Sequence, residues 1–408
     1  MTLDNAVKDL ADELLRQEFV EILCHHDADG IAAGSIMGIA LFRAGIPFRL
    51  RITHRLSDNN YPKSHRLLLC DLGSGSDNLP EETMIIDHHI PFFEGPFHVN
   101  PRLEGIDGDT DLSSAGASYL VANHLGDNRD LSGLFLPGVI GDGQTLSGKN
   151  LEIYHEALAN DMIQKKRGLK LPGRTLKEQI MLATEPFVPG VSGSEEETNK
   201  LINLSETVGN DPNDILCSLL VIASSKVCRP DVILNLWGDK WHLEREVIED
   251  AFSMTYVIDS CGKSGSGSLA ASLCLRSSND IDLAYDLAQN HRMMLIEEMS
   301  RFLASPGTES IQFFMSNNLQ VTSDLADTIQ RNIPGDLPVL VTSQRKEGTC
   351  SCSVRAPLKS GKMLGEIVQK LAEECGGNGG GHQRRAGAVI NCDRIKHFAA
   401  GIIEECAV

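Results

Sequence analysis

Four short stretches carry side chains that could do chemistry together: His25-His26-Asp27-Ala28-Asp29-Gly30, Cys70-Asp71-Leu72-Gly73, Asp87-His88-His89 and Gly141-Asp142-Gly143-Gln144. Each follows a short apolar run and presents carboxylates or imidazoles, which solvate poorly in a core and bind divalent cations well. Hydrolysing a phosphodiester needs a nucleophilic water and an offset for the charge at phosphorus. Two divalent cations roughly 3.5–4 Å apart supply both. Such a pair needs one carboxylate shared between the ions, with further carboxylates and imidazoles around it. His25, Asp27, Asp29, Asp71, His88 and Asp142 are a sufficient set, with His89 left for the substrate. A His and Asp donor set without Cys best suits Mn(II), with Mg(II) or Co(II) as alternatives.

Each residue also has a plainer reading. Asp27 and Asp29 could cap the helix that follows them, since Asp is a preferred N-cap. Asp71 before Leu-Gly could be a turn residue, and His25 or His26 an ordinary half-buried imidazole. The chemistry alone does not choose between His25 and His26. What favours a site is that all four stretches fall at the ends of apolar segments.

A second group lies near the end of the chain: Gly376-Gly377-Asn378-Gly379-Gly380-Gly381-His382, then Gln383-Arg384-Arg385-Ala386-Gly387-Ala388. Glycines let successive amides approach a phosphate as an anion nest, and His382, Arg384 and Arg385 would add donors. A flexible surface loop is the alternative. Arg355, just upstream, could fork a phosphate or be a plain surface arginine.

The elements that must position these residues follow from periodicity. Leu3, Ala6, Val7, Leu10, Leu14 and Leu15 predict an amphipathic helix over 3–17. Strands are expected at 19–24, 48–53, 67–70, 83–86 and 97–100, with helices at 31–44 and 113–125. Alternating short apolar strands and helices imply an α/β fold with a parallel sheet wrapped by helices. Ligands of such sheets sit beyond the carboxyl ends of the strands, where His25, Asp71 and Asp87 fall. Leu131 to Ile140 is apolar and breaks at Gly141, so Asp142 is expected on a loop at that edge.

Residues 150–260 read as mostly helical, with a polar surface loop at 190–199. Ser264-Gly265-Ser266-Gly267-Ser268 is a linker or, with Asp259-Ser260-Cys261-Gly262-Lys263 before it, a functional loop. A long helix is expected over 280–303. The C-terminal part has its own α/β pattern, with strands at 311–315, 339–342, 350–355 and 388–390 and helices at 322–332 and 362–374. Three regions result: 1–170, a helical connection at 171–305, and a smaller α/β domain at 306–408.

The 408 residues are 41% apolar, enough for two or three cores. No charge-free apolar run reaches spanning length and the first helix is too polar for a signal peptide, so a cytoplasmic protein with no membrane partner is expected. Eleven cysteines lie scattered with no C-x-x-C pair, so buried thiols are expected rather than a zinc site or disulfides. A net charge of −19 excludes a protein that coats nucleic acid by phosphate neutralisation. It leaves room for an enzyme whose acids hold cations.

With these residues in view, the chain resembles a DHH phosphoesterase, most closely the archaeal RecJ-like exonucleases with a C-terminal DHH-associated domain. The resemblance covers nearly the whole chain and is weakest around 170–250. The family's H-x-D-x-D-G motif matches His25, Asp27, Asp29 and Gly30, which selects His25 over His26. Its single-Asp motif matches Asp71, its DHH motif 87–89, and its fourth acid Asp142. The G-G-G-H…A-G-A signature matches Gly379, Gly380, Gly381, His382, Ala386, Gly387 and Ala388, and an S-x-R strand matches Ser353 and Arg355. Asp259 to Lys263 is similar to a signature that usually ends in Arg; Lys263 replaces a bidentate fork with a point charge.

The resemblance implies one cation on His25, Asp27 and Asp71, and another on Asp29, Asp71, His88 and Asp142, with Asp71 bridging. His89 would contact the scissile phosphate and Asp87 would orient an imidazole. Arg355, Lys263, Gly379, Gly380, Gly381 and His382 would bind substrate, with a cleft closing between domains. The implied activity is Mn-dependent, single-strand-specific exonuclease action on DNA, RNA or both. Alternatives are a phosphodiesterase for short oligonucleotides or cyclic dinucleotides, and a docking subunit for replication or repair proteins.

Overall fold

The computed structural model describes residues 2–56, 66–76, 78–207, 212–305, 309–345, 348–357, 360–381 and 383–406. The chain divides into two compact units, one formed by 1–168 with 239–288 and the other by 169–238 with 289–408. In chain order the elements begin with α1 (Leu3–Leu14), β1 (Val20–His25), α2 (Ala28–Arg43), β2 (Phe48–Thr53), β3 (Leu67–Cys70), β4 (Met84–Ile86) and β5 (His98–Val99). They continue with α3 (Ser114–Leu125), α4 (Phe135–Asp142), α5 (Gly148–Ala159), β6 (Ile163–Leu169), α6 (Leu176–Met181), α7 (Glu195–Thr207), α8 (Pro212–Ser224) and α9 (Pro230–Leu234). Next come β7 (Trp237–Leu243), α10 (Ala251–Lys263), α11 (Gly267–Cys274), α12 (Ile281–Leu303), β8 (Gln312–Ser316), α13 (Thr322–Asn332) and β9 (Val339–Gln344). The last are β10 (Thr349–Arg355), α14 (Leu364–Glu374), β11 (Asn378–Gly381), β12 (Arg385–Asn391) and α15 (Ile395–Cys406).

The first unit is built on a parallel sheet of order β2-β1-β3-β4-β5. β3 and β4 are apolar without alternation because both faces are buried. The order reverses between β1 and β3, and the crevice at such a reversal is where open α/β sheets bind ligands. Helix α2 lies close over β1 because Gly30, Gly34 and Gly38 recur one turn apart on its sheet-facing side. A Cβ at Gly30 would stand 2.6 Å from the Cβ of His25, and one at Gly34 2.9 Å from Cys24.

The expected helical connection over 171–305 is not a separate body. Its 239–288 portion joins the first unit, where α10 packs on α2 and α4, and α11 on α2 and β2. The apolar faces of α10 and α11 cannot stay in water, and α2 offers the complementary surface. Of the expected linker at 264–268, residues 264–266 form the tight turn between them and 267–268 open α11, with Gly267 against Ile52. The signature at 259–263 is helical rather than a loop. Strands β6 and β7, which pair in a two-stranded sheet, gave no apolar alternation to read, and part of the expected loop at 190–199 is the start of α7.

The second unit carries a sheet of order β11-β12-β10-β9-β8, antiparallel except for β8 beside β9. The glycine run expected as a phosphate-binding loop forms edge strand β11, paired through Gly379↔Ala388 and Gly381↔Ala386. Its glycines admit the neighbouring elements: a Cβ at Gly379 would stand 2.9 Å from Ala388 and 3.0 Å from Ala372 of α14. Gly380 alone faces open space. His382 lies outside the described residues. Cys350 and Cys392 are joined as a disulfide, contrary to the expectation of free thiols throughout. Forty-two residues separate them, so no local spacing announced the pair.

Arg355 is not a surface arginine or an open phosphate fork in this structure. It is 3% exposed and grips Asp327 of α13 with Nε at 2.7 Å and Nη2 at 2.8 Å, while Ser323 takes a further bond. Burial pushes the Asp327 carboxyl up, but Arg355 and Arg385 outweigh it and hold the group well below the usual carboxylate range. The stabilisation is therefore present above the unfolded carboxylate pKa and lost as pH falls through the folded one. Replacing Asp327 with Ala strands a buried guanidinium and should cost about 3–5 kcal/mol, whereas D327L combined with R355M should cost much less. Urea unfolding of the two variants measures both outcomes.

Candidate metal centre

The sheet register sets the site. Cys24 pairs with Cys70, and Cys70 with Ile86, so the next residues, His25, Asp71 and Asp87, leave three adjacent strands at one level. Asp71 turns sharply there with φ 59°, a left-handed conformation that Asp tolerates better than most residues. Asp27 caps α2 through Oδ1, which accepts from Gly30 N–H at 3.0 Å, and offers Oδ2 to His25 Nδ1 at 2.8 Å. The cap and the cation-ligand readings of Asp27 are thus compatible. Asp29 sits at the start of α3, where Ser114 and Ala115 N–H each donate to it at 2.8 Å. Asp142 comes from the last turn of α4 rather than from a loop, and Gly143 ends that helix at φ 66°.

The six expected ligands converge. Asp71 faces two imidazoles with different oxygens: Oδ2 lies 3.2 Å from His25 Nδ1, and Oδ1 lies 3.4 Å from His88 Nε2. His88 Nε2 is also 3.2 Å from Asp142 Oδ2 and 3.9 Å from Asp29 Oδ2. Two groups with donor atoms close enough for one cation result, His25 with Asp27 and Asp71, and Asp29 with His88 and Asp142; a third, Asp71 with His88 and His89, overlaps them. His88 Nδ1 lies 2.5 Å from Gly108 O. A carbonyl only accepts, so Nδ1 carries a proton and Nε2 is the atom that faces the carboxylates, donating to them as an imidazolium or offering its lone pair to a cation between them. His25 Nδ1 and Asp142 Oδ2 are shielded from solvent, yet no hydrogen bond of good geometry reaches either. Carboxylate and imidazole atoms gathered this closely, with poor hydrogen-bond geometry at His25 Nδ1 and Asp142 Oδ2, suit a divalent cation.

Electrostatics divide these acids. Burial pushes Asp29 well up, reinforced by Asp142 and Asp71, and burial likewise lifts Asp142 to about 6. Burial would raise Asp87 too, but His89 and His88 outweigh it and hold it low. His25 and His88 lose by burial and gain more from the neighbouring carboxylates, ending well above the usual imidazole range. Asp87 is a hub: it accepts from Ser74 N–H (3.0 Å), His88 N–H (2.8 Å), His89 N–H (3.2 Å) and His89 Nδ1 (2.7 Å). It thereby fixes the His89 ring.

Several supporting residues had no clear sequence signal. Ser114 Oγ donates to Asp71 Oδ1 at 2.9 Å. Ser74 and Asn100 brace the His89 segment, with Asn100 Nδ2 donating to Ser74 Oγ and His89 O at 2.9 Å each. Gly138 leaves room for Asp29, since a Cβ there would stand 2.0 Å from its Oδ1. Gln144 Nε2 donates to Gly108 O at 2.9 Å, and its place beside Asp142 was the one hint available. Lys263 ends α10 paired with Asp259 at 2.7 Å. Gly262 before it lets α10 approach His26 O, which a Cβ would meet at 1.8 Å. The His26 ring lies 4.0 Å from that of His54, tilted by 47°, and its pKa is lowered to about 3 by burial and by His25.

Residues 313–407 match the DHHA1 domain family. An uncharacterized protein of Methanocaldococcus jannaschii is 24% identical over 98% of this chain and 96% of its own length. Among solved structures, RecJ in complex with Mn2+ from Thermus thermophilus superposes with a TM-score of 0.61 at 18% identity; the match covers 99% of this chain and 54% of RecJ. This chain thus spans about half the length of that enzyme. A second exonuclease RecJ bound to manganese gives 0.60 at 16% identity, covering 100% and 94%. CDC45 from Entamoeba histolytica gives 0.66 at 13% identity, covering 98% of each chain. Residues 313–407 therefore belong to the DHHA1 domain family, and the chain as a whole has the fold of these RecJ and CDC45 structures.

Proposed function

We propose that this protein is a two-metal phosphodiesterase acting as a single-strand-specific exonuclease on DNA, RNA or both. The observation that carries this reading is Asp71, whose two oxygens address His25 on one side and His88 on the other. A carboxylate so placed can bridge two cations. His25, Asp27 and Asp71 would hold one cation, and Asp29, Asp71, His88 and Asp142 the other. Mn(II) suits this donor set best.

When bound, the cations make a water acidic enough to attack and offset charge on the phosphate oxygens. The remaining work belongs to the chain. Paired amides hold Asp29, and Ser114 Oγ steadies Asp71. Asp87 aims the His89 imidazole, which contacts the scissile phosphate and donates to an oxygen that gains charge. A net charge of −19 favours one rival, a phosphodiesterase for short oligonucleotides or cyclic dinucleotides, because short substrates need fewer phosphate contacts.

Cleavage of end-labelled DNA and RNA strands with and without Mn(II) tests the reading. Shortening of long single strands, with duplexes left intact, is expected; cleavage of dinucleotides alone would favour the rival. Crowded buried acids should make the cation-free protein less stable than it could be. Asp71→Asn should raise the cation-free melting temperature while abolishing the rise that Mn(II) gives the wild type, as calorimetry would record. D87N, which keeps the shape but weakens the hold on His89, should cost about 10–100-fold in activity.

A further inference from the structure

Two adjacent phenylalanines follow the Asp87-His88-His89 stretch, and the fold treats them oppositely. Phe93 turns inward against the cluster of Leu23, Leu67, Leu69 and Ile85, with its ring 5.3 Å from that of His98. Phe92 turns outward and is 75% exposed. Ile90, directly after His89, is exposed as well, at 42%. Single exposed apolar side chains are ordinary; what singles out Phe92 is its place three residues after His89, beside a half-buried Phe93 packed on the core.

Nor is Phe92 on a loose loop. Its N–H donates to Ser74 O at 2.8 Å, Ser74 N–H donates to Asp87 Oδ2 at 3.0 Å, and Asp87 Oδ1 lies 2.7 Å from His89 Nδ1. Three hydrogen bonds therefore tie the backbone that carries this ring to the imidazole at the site. The ring passes over Gly75, where even a Cβ would come within 3.8 Å of it.

We propose that Phe92 is a stacking platform for a nucleobase flanking the phosphodiester at the metal centre. This rests on the phosphodiesterase reading and sharpens it to a nucleotide substrate. A phenyl ring stacks on the face of any base and so reads no sequence. It also selects for unpaired strands, because a base inside a duplex already has neighbours on both faces. Ile90 extends the apolar surface next to His89.

Steady-state cleavage of end-labelled single strands by wild type, F92A and F92W tests this, using normal strands and strands with an abasic residue at each of the three terminal positions. F92A should raise KM by about 5- to 150-fold on normal strands and F92W should not. At one abasic position the F92A penalty should vanish. Equal penalties on normal and abasic strands, or none on either, would overturn the platform while leaving the phosphodiesterase intact. In parallel, a strand carrying 2-aminopurine should lose fluorescence on binding wild type but not F92A. Phe92-dependent quenching by a protein that cuts no strand would retain the platform and sink the proposed activity. Absence of both quenching and cleavage would sink both, and would leave the exposed ring as a protein contact.

Discussion

Three parallel strands stopping at the same level is the constraint on which the site depends. Because Cys24, Cys70 and Ile86 lie side by side, the residue after each emerges beside its neighbours without any loop having to reach. Slipping one strand by a single residue would turn its side chains to the opposite face. What prevents the slip is burial on both sides of β3 and β4, together with the close approach of α2 along its glycines. Packing deep in the sheet and ligand placement at its edge are therefore one requirement.

That placement is costly. Asp29, Asp71 and Asp87 are all nearly or wholly buried, and Asp142 joins them within reach of His88. The fold offsets the cost differently for each acid. Asp29 receives two amides from the first turn of α3, where the helix dipole also favours an anion. Asp87 receives amides and an imidazole and stays ionised. Asp142, at the carboxyl end of its helix, gets no such help and is lifted to about 6 by burial, while burial and the neighbouring acids push Asp29 well up in spite of its amides. Identical side chains have thus been given unlike protonation behaviour by the elements that carry them.

Much of this was legible from residue order. The five strands of the first sheet, the gathering of acids and imidazoles at its edge and four strands of the second sheet followed from apolar runs and what ends them, while the choice of His25 over His26 came from the motif it resembles. Other features were out of reach for physical reasons. β6 is Lys- and Arg-rich and lacks the alternation that marks a strand, so it passed as part of a helical stretch. Whether Arg355 meets a phosphate or Asp327 depends on a helix some thirty residues earlier, and nothing local encodes that. The glycines of β11 suggest mobility by composition, yet Gly379 is small because Ala388 and Ala372 of α14 press against it, and Gly381 because Arg385 and Ala386 do. The spacing-making glycines at 138 and 262 show their purpose only once their neighbours' positions are known.

The first unit is discontinuous, since 239–288 completes what 1–168 begins. On the ribosome, α2 and α4 therefore emerge long before α10 and α11 arrive to cover them. The wait is about 120 residues of synthesis, or roughly 6–24 s at about 5–20 residues per second. During that interval an incomplete, acid-rich nucleus stands with part of its apolar surface bare, a natural point of engagement for chaperones. A fragment ending near residue 168 would hold all six candidate acids and imidazoles yet remain in that nascent condition indefinitely.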